Sequence, residues 1–307
     1  MINNLTFKIT KNDLPQRLDK YILKKIGTSS RSLIADVISS GDILLNDKKT
    51  QKGKLLRQND SVKIVKLLET CDIKVIPNKK IKLDIIYEDE SLLIINKPSG
   101  IPVHPIKPTE TDTLSNALVA YNPKLSKIIE DNPLFPAFVH RLDTMTSGVI
   151  VAAKNMATYM YMREQFKKRK VKKIYYALVE GIVKKDGEID NYMAHDPKDK
   201  KRMVVLKSYD KARRVLRAIT KYTVKKNMES HTVAKIQIKT GVMHQIRCHM
   251  ASIGHPLVGD KIYNKNKCEE AFLHEKRRSL HAYEIGFIHP KTQEKVTFKS
   301  ELPKTLN

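Results

Sequence analysis

Cysteine is scarce. Cys71, Cys248 and Cys268 are three scattered residues of 307, with no CxxC spacing, so neither a disulfide framework nor a zinc cluster is expected. Apolar runs are short: none approaches the roughly 18 residues that span a bilayer, and the opening MINNLTFKIT carries no apolar core of a secretory signal. A cytoplasmic protein without membrane attachment is the expectation. Internal repeats and low-complexity tracts are also absent, which leaves no basis for a repeat architecture. Acidic residues are the last deficit. There are 33 Asp and Glu against 58 Lys and Arg, a net charge of +25. That excess points to a polyanionic partner, and the basic residues are too dispersed for one membrane-binding helix. The bland alternative is solvated surface in a lysine-rich chain.

What is present suits a folded chain of about two domains: 41% hydrophobic residues allow cores, and 307 residues fit the usual domain sizes. The division falls near residue 70. Leu18, Ile22 and Ile26 recur every four residues, as do Leu33 with Val37 and Ile34 with Ile38, which predicts two short amphipathic helices. Ser29 or Ser30 can cap the second and Gly41 can end it. Ile43 to Leu45 and Val62 to Val65 then read as strands around the Asn46-Asp47 turn.

Arg17-Leu18-Asp19, Ser30-Arg31 and Gly41-Asp42-Ile43 leading to Asn46 resemble the RNA-binding domain first described in ribosomal protein S four. The resemblance implies an RNA-binding unit over residues 1–70, with Arg17, Arg31, Lys48, Lys52 and Lys54 on its basic rim. A packing or dimerisation appendage is the structural alternative. Residues 71–83, extended around Pro77 and rich in Lys, read as a linker, and a second domain covers 84–307.

In that second domain, "DIIYEDESLLIINKPSGIPVHP" predicts a hairpin through Glu88 to Ser91 and then a Pro-Gly-Pro loop. "DTLSNALVAY" predicts a helix capped by Asp112 or Thr113, and "NMATYMYMREQFKKRK" a helix with a basic end. "IYYALVEGIV" reads as a buried strand. Ala234, Ile236 and Ile238 alternate with polar neighbours, as in a half-exposed strand. "MHQIRCHMASIG" reads as a short helix stopped by Gly254. Many strands with a few interspersed helices make an α+β protein: a small helix-helix-strand domain, then a mixed, mainly antiparallel sheet.

One carboxylate is oddly placed. Asp143 follows Arg141 by two residues, between the apolar Ala137-Phe138-Val139 and the apolar run Val149 to Ala153. Turn chemistry alone explains an Asp and a Thr before a Gly. However, "HRLDTMTSGVIVAAKN" resembles the HRLDxxTSG segment of the RluA-type pseudouridine synthases, which isomerise uridine in large-subunit ribosomal RNA and some transfer RNA. "INKPSGIPVHP", "KIYYALVEG", "GVMHQIRCHMASIGHPLVGDKIY" and "LHAYEIGFIHP" match further segments in the same order. The likeness covers nearly the whole chain.

The resemblance implies that Asp143 is the catalytic group, that Arg247 pairs with it, that Tyr175 packs on the target base, and that Arg141 helps hold the flipped-out state. Each role is chemically reasonable. An ionised carboxylate can attack the sugar or assist proton removal, and the sequence does not choose between these. An arginine fork keeps a carboxylate charged and aimed, and an aromatic face suits an unstacked uracil. Tyr176 competes with Tyr175, since neighbours on a strand face opposite ways. A phosphate-contacting Arg141 is equally compatible, and His140 is expected to be structural.

No cofactor or metal is expected. His244, Cys248 and His249 lie close in sequence, but nothing nearby completes a ligand set, so packing or RNA contact is the better reading. Gly241-Val242-Met243-His244 departs from the Gly-Arg-Thr-His usual in the family, which removes one basic contact. Thr144 stands where a basic or larger residue is frequent. Three function classes are thereby weighed. A uridine isomerase fits Asp143, Tyr175 and Arg247 together; a pure RNA-binding assembly factor has no need of that acid; a hydrolase needs a second carboxylate or a metal cluster. Ribosomal RNA is the expected substrate, with transfer RNA as the alternative and ribosomal precursor particles as a possible form of it. The protein is expected to act as a monomer.

Overall fold

A computed structural model describes residues 2–26, 31–67, 74–129, 134–199, 201–206, 215–264 and 279–307, without the side chains of residues 3 and 31–33. The chain forms two compact units, Met1–Lys74 and Val75–Asn307.

The first unit contains strand β1 (Ile2–Lys8), helices α1 (Leu18–Ile26) and α2 (Arg31–Ser40), and strands β2 (Ile43–Leu45), β3 (Lys48–Lys49) and β4 (Ser61–Leu67). Leu18, Tyr21 and Ile22 of α1 bury one face against Ile34 and Ile38 of α2 and against Ile43, Val62 and Ile64 of the sheet. The sheet order is β1-β4-β2-β3. Gly41 ends α2 in the left-handed region at φ 91°, with its N–H on Ile38 O. The capping of α2 by Ser29 or Ser30 falls outside the described residues.

One expectation changes in this unit. Asn46 and Asp47, both with positive φ, form a two-residue turn into the short β3 rather than into the next long strand. That long strand, β4, pairs with β2 on one side, as expected, and on the other with β1, a strand the sequence does not announce because its residues are largely polar and exposed.

The second unit is built on a ten-stranded sheet. Its strands are β5 (Ile85–Glu88), β6 (Leu92–Lys97), β7 (Ser147–Ala153), β8 (Lys172–Glu180), β9 (Gly187–His195), β10 (Met203–Leu206), β11 (Leu216–Asn227), β12 (His231–Ile238), β13 (Leu280–Ile288) and β14 (Lys295–Lys299). The path is β10-β9-β11-β12-β8-β13-β7-β6-β5, with β14 on β13. Among the described residues only β13 and β7 pair in parallel, and the other pairs are antiparallel. Among the described residues three α-helices pack on the sheet: α3 (Leu114–Tyr121), α4 (Met156–Lys167) and α5 (Gln245–Ser252). The fold is α+β with mixed, mainly antiparallel sheets.

β6 and β7 read as unbroken apolar runs because both their faces are covered. Leu93, Ile95, Ile150 and Ala152 face the core shared with α3 and α5. Leu92, Ile94, Val149 and Val151 face the core that holds Met162 of α4. Thr113 caps α3 and Asn155 caps α4.

The expected linker needs correction. Val75 is buried, Asn116 of α3 donates from Nδ2 to Ile76 O at 2.7 Å, and Asn78 donates its N–H to Asn116 O at 3.0 Å. The second half of the 71–83 segment is therefore part of the second unit, which begins at 75 rather than 84. The bonds that tie it to α3 are made by its backbone, and its polar, lysine-rich composition does not reveal them.

Candidate active site

Asp143 sits in the loop that enters β7, and that loop is braced on several sides. Thr146 N–H closes a turn on Asp143 O at 3.0 Å. Ser99 Oγ donates to Met145 O at 2.7 Å, and Gly100 N–H donates to Thr144 O at 2.9 Å. Lys97 at the end of β6 is fully buried. Its ammonium donates to Pro98 O, Ile101 O and Thr144 O at 2.8, 2.8 and 3.0 Å. Burial pushes its pKa down to about 7, and the Asp143 charge pulls the other way. His140 accepts the Val151 N–H at its Nε2, 3.1 Å away, and stacks on Phe166. Burial lowers its pKa to about 3, so it is a neutral strut.

Sheet register brings Tyr175 to the same place. Ala282 of β13 lies opposite Tyr175 on β8 and opposite Gly148 on β7, so the three form one row across the sheet centre. At Gly148, with φ 107°, a Cβ would stand 2.2 Å from Ala282 O, so only glycine permits this approach. Tyr175 is buried in the core that also contains Leu142 and Ile246. Burial raises its pKa, and the Asp143 charge raises it further. Tyr176 points the other way, edge-on to Tyr283. The tyrosine on the Asp143 side is therefore Tyr175.

Arg247 comes from α5, and 104 positions separate it from the acid it meets. Its Nη1 donates to Asp143 Oδ2 at 2.9 Å, and only 1% of its side chain is exposed against 27% for Asp143. The rest of the guanidinium is held by Asp260. Nε donates to Asp260 Oδ2 at 2.5 Å and Nη2 to Oδ1 at 2.9 Å, a bidentate pair with a buried carboxylate. Burial works against the charge on Arg247, but Asp260 and then Asp143 outweigh it, and its pKa rises. His244, at φ 55° before α5, places Nε2 3.7 Å from Asp143 Oδ2 and Nδ1 3.1 Å from Tyr263 OH.

Sequence reading missed Asp260, Lys97 and His244 as members of this cluster. Asp260 lay inside the quoted "HPLVGDKIY", and its only advance sign was a lone acid in an apolar stretch. Arg141 is exposed on the same loop; its charge adds to the burial that lowers the His104 pKa to about 4. The three residues weighed as metal ligands diverge. His244 faces Asp143 and Tyr263, Cys248 Sγ lies on Met203 O, and His249 Nδ1 lies on Thr220 Oγ1. Among the described residues no group of three or more His, Cys, Asp or Glu converges. The site is thus a half-buried carboxylate in contact with a buried arginine, on the side of the sheet to which buried Tyr175 points. Such a group can serve as nucleophile or base.

In the first unit, Lys48, Lys49 and Lys54 line an open concavity of about 790 Å³ with Asn46, Thr50, Gln51 and Gly53. Lys52 is exposed beside it. The Arg17 fork is closed on Asp19 at 3.0 and 2.8 Å. The Arg31 side chain lies outside the described residues.

Residues 91–252 match the family model described as RNA pseudouridylate synthase, a span that includes Asp143, Tyr175 and Arg247 and stops short of Asp260. The chain belongs to this family. It is an isomerase acting on RNA, and RNA is its substrate. An RNA pseudouridine synthase of Aquifex aeolicus (strain VF5), itself described as uncharacterised, is 38% identical over 98% of this chain and 94% of its own. A ribosomal large subunit pseudouridine synthase D of Neisseria meningitidis (serogroup A, strain Z2491) is 33% identical over 94% of this chain and 76% of its own. The solved structure of human RNA pseudouridylate synthase domain containing 1 superposes with a TM-score of 0.58 at 24% identity. It covers 75% of this chain and 89% of that one and agrees on the fold.

Proposed function

We propose that this pseudouridine synthase converts uridine in large-subunit ribosomal RNA, with Asp143 as its one catalytic carboxylate. The observation that carries the reading is the 2.9 Å contact of Asp143 with buried Arg247, next to the core in which their neighbours Leu142 and Ile246 pack with Tyr175. Relatives in Neisseria meningitidis and Zymomonas mobilis that match 94 to 97% of this chain are named for the large ribosomal subunit, which supports the choice of RNA.

The reaction breaks the uridine N1 to C1′ bond, turns the base, joins C5 to C1′, and moves the C5 proton to N1, with no net redox change. Asp143 acts on the sugar or on the proton next to it, and Arg247 holds and aims it. Tyr175 offers its ring to the uracil. A uridine in a stem cannot reach this site while stacked, so it is turned out of the helix, and exposed Arg141 occupies the space it leaves. The first unit acts as the ribosomal protein S four-like RNA-binding domain, with Lys48, Lys52 and Lys54 on phosphate. The protein works as a monomer, on free RNA or on assembling ribosomal particles.

Pseudouridine mapping of total RNA from cells with and without the gene tests substrate and activity together. Loss of one or more sites in large-subunit RNA is expected. Loss confined to transfer RNA overturns the ribosomal assignment, and no loss anywhere overturns the activity in the cell.

A further inference from the structure

Arg247 spends only one of its three bonded nitrogens on Asp143. The other two go to Asp260, whose carboxylate is buried and has further duties. Asp260 Oδ1 also accepts the backbone N–H groups of Ile262 and Tyr263, at 3.0 and 3.3 Å. That turn fixes Tyr263, whose ring lies 5.1 Å under the Arg247 guanidinium. The Tyr263 hydroxyl accepts the Met203 N–H at 2.8 Å and meets His244 Nδ1 at 3.1 Å. His244 in turn is another basic group near Asp143, at 3.7 Å. Both contacts that Asp143 receives from this side of the pocket therefore trace back to one carboxylate outside the matched family span.

We propose that Asp260 is a positioning residue for Asp143: it locks the Arg247 fork, divides its positive charge between two carboxylates, and holds the Tyr263–His244 pair in place. The division matters chemically. A carboxylate that owns a whole arginine is fully ionised but a weaker nucleophile and base; one that shares the arginine stays ionised and keeps more of its basicity. Aim matters as well, since a displacement of about 1 Å at a reacting group can cost about 100-fold in rate. This inference rests on Asp143 being the catalytic carboxylate.

The test is single-turnover pseudouridine formation on a large-subunit RNA transcript, measured against pH, for the full chain and for Asp260→Asn and Asp260→Glu. RNA binding and thermal unfolding are measured on each variant. With Asp260→Asn the rate should fall about 100-fold while RNA affinity stays within about 2-fold. Its acidic limb should move to lower pH, because Asp143 then faces the undivided charge of Arg247. Asp260→Glu retains the charge at a shifted position, so its rate should lie between the two, with the limb at the parental pH. A parental rate in Asp260→Asn overturns the proposal. So does a reduced rate with an unmoved limb, which is what a merely structural carboxylate would give. If Asp260→Asn does not fold, Asp260→Glu decides: a parental rate there shows that the aim of the fork is unimportant. Activity retained in Asp143→Asn would instead remove the reading beneath it, whatever the Asp260 variants do.

Discussion

Lys97→Met removes a buried ammonium while keeping the chain length that fills its site. The parent Lys97 has its pKa moved from 10.5 to about 7, mainly by burial. At 1.36 kcal/mol per pH unit, that interval corresponds to about 5 kcal/mol of unfavourable charge burial, an upper bound given three carbonyl acceptors and the Asp143 charge. The folded pKa is depressed, so between about pH 7 and 10.5 the unfolded chain binds more protons. Stability therefore rises with pH in that window, by at most about 1.4 kcal/mol per unit. From pH 7.5 to 9.5 the parent should gain about 2.5 kcal/mol relative to Lys97→Met. The absolute difference at one pH mixes lost hydrogen bonds with relieved charge burial; the change with pH isolates the charge. Urea unfolding followed by circular dichroism at several pH values measures it, and taking the difference between proteins removes the contribution of Lys173, whose pKa burial also lowers, to about 8. A parent-minus-variant difference constant to about 0.5 kcal/mol across this range would refute the depressed pKa of buried Lys97, since the residue would then be as fully protonated in the folded chain as in the unfolded one.

Other expectations follow from the same geometry. Tyr175→Phe should keep the ring and most turnover, whereas Tyr175→Ala should lose about 1 to 3 kcal/mol of base stacking; single-turnover rates separate them, and damage from Tyr176→Ala instead would invert the strand register. Replacing Lys48, Lys52 and Lys54 together by Gln should flatten the salt dependence of RNA binding, by about 0.7 to 0.9 in log-log slope for each lost phosphate contact. Filter binding between low and high salt reads this directly. Gly148→Ala should lower the melting temperature, since its Cβ meets Ala282 O at 2.2 Å and its φ is 107°; overpacking and left-handed strain each cost about 1 to 3 kcal/mol. A variant that melts with the parent would show that the β7 and β13 backbones can separate at this point.

Segments with a local signature were legible in the sequence. α3, α4 and α5, the 85–97 hairpin and the alternating strand at 234–238 appear where periodicity and caps placed them. β1 and much of β11 escaped because exposed, polar strands leave little hydrophobic pattern. The boundary at 75 escaped for another reason: Asn78 and Val75 look like linker until α3 supplies Asn116. The site divides along the same line. Asp143, Tyr175 and Arg247 stand in ordered segments that resemble a known family, so their residue types could be carried over. Lys97, His244 and Asp260 gain their meaning from partners far away in sequence, and a lysine after an apolar strand or an aspartate in a turn carries no local mark of burial.

The most direct test of the central proposal is Asp143→Asn, which keeps the side-chain size and most of its hydrogen bonding and removes the charge. Pseudouridine formation on ribosomal RNA transcripts is followed under single-turnover conditions without added metal or cofactor, beside RNA binding at matched salt and a check of the fold. Turnover should fall to background, because an amide is a far poorer nucleophile and base than a carboxylate. RNA affinity should hold or tighten, since a negative charge leaves a polyanion-binding surface. A folded Asp143→Asn protein that converts uridine at near the parental rate would contradict the reading and leave Asp143 as a turn residue.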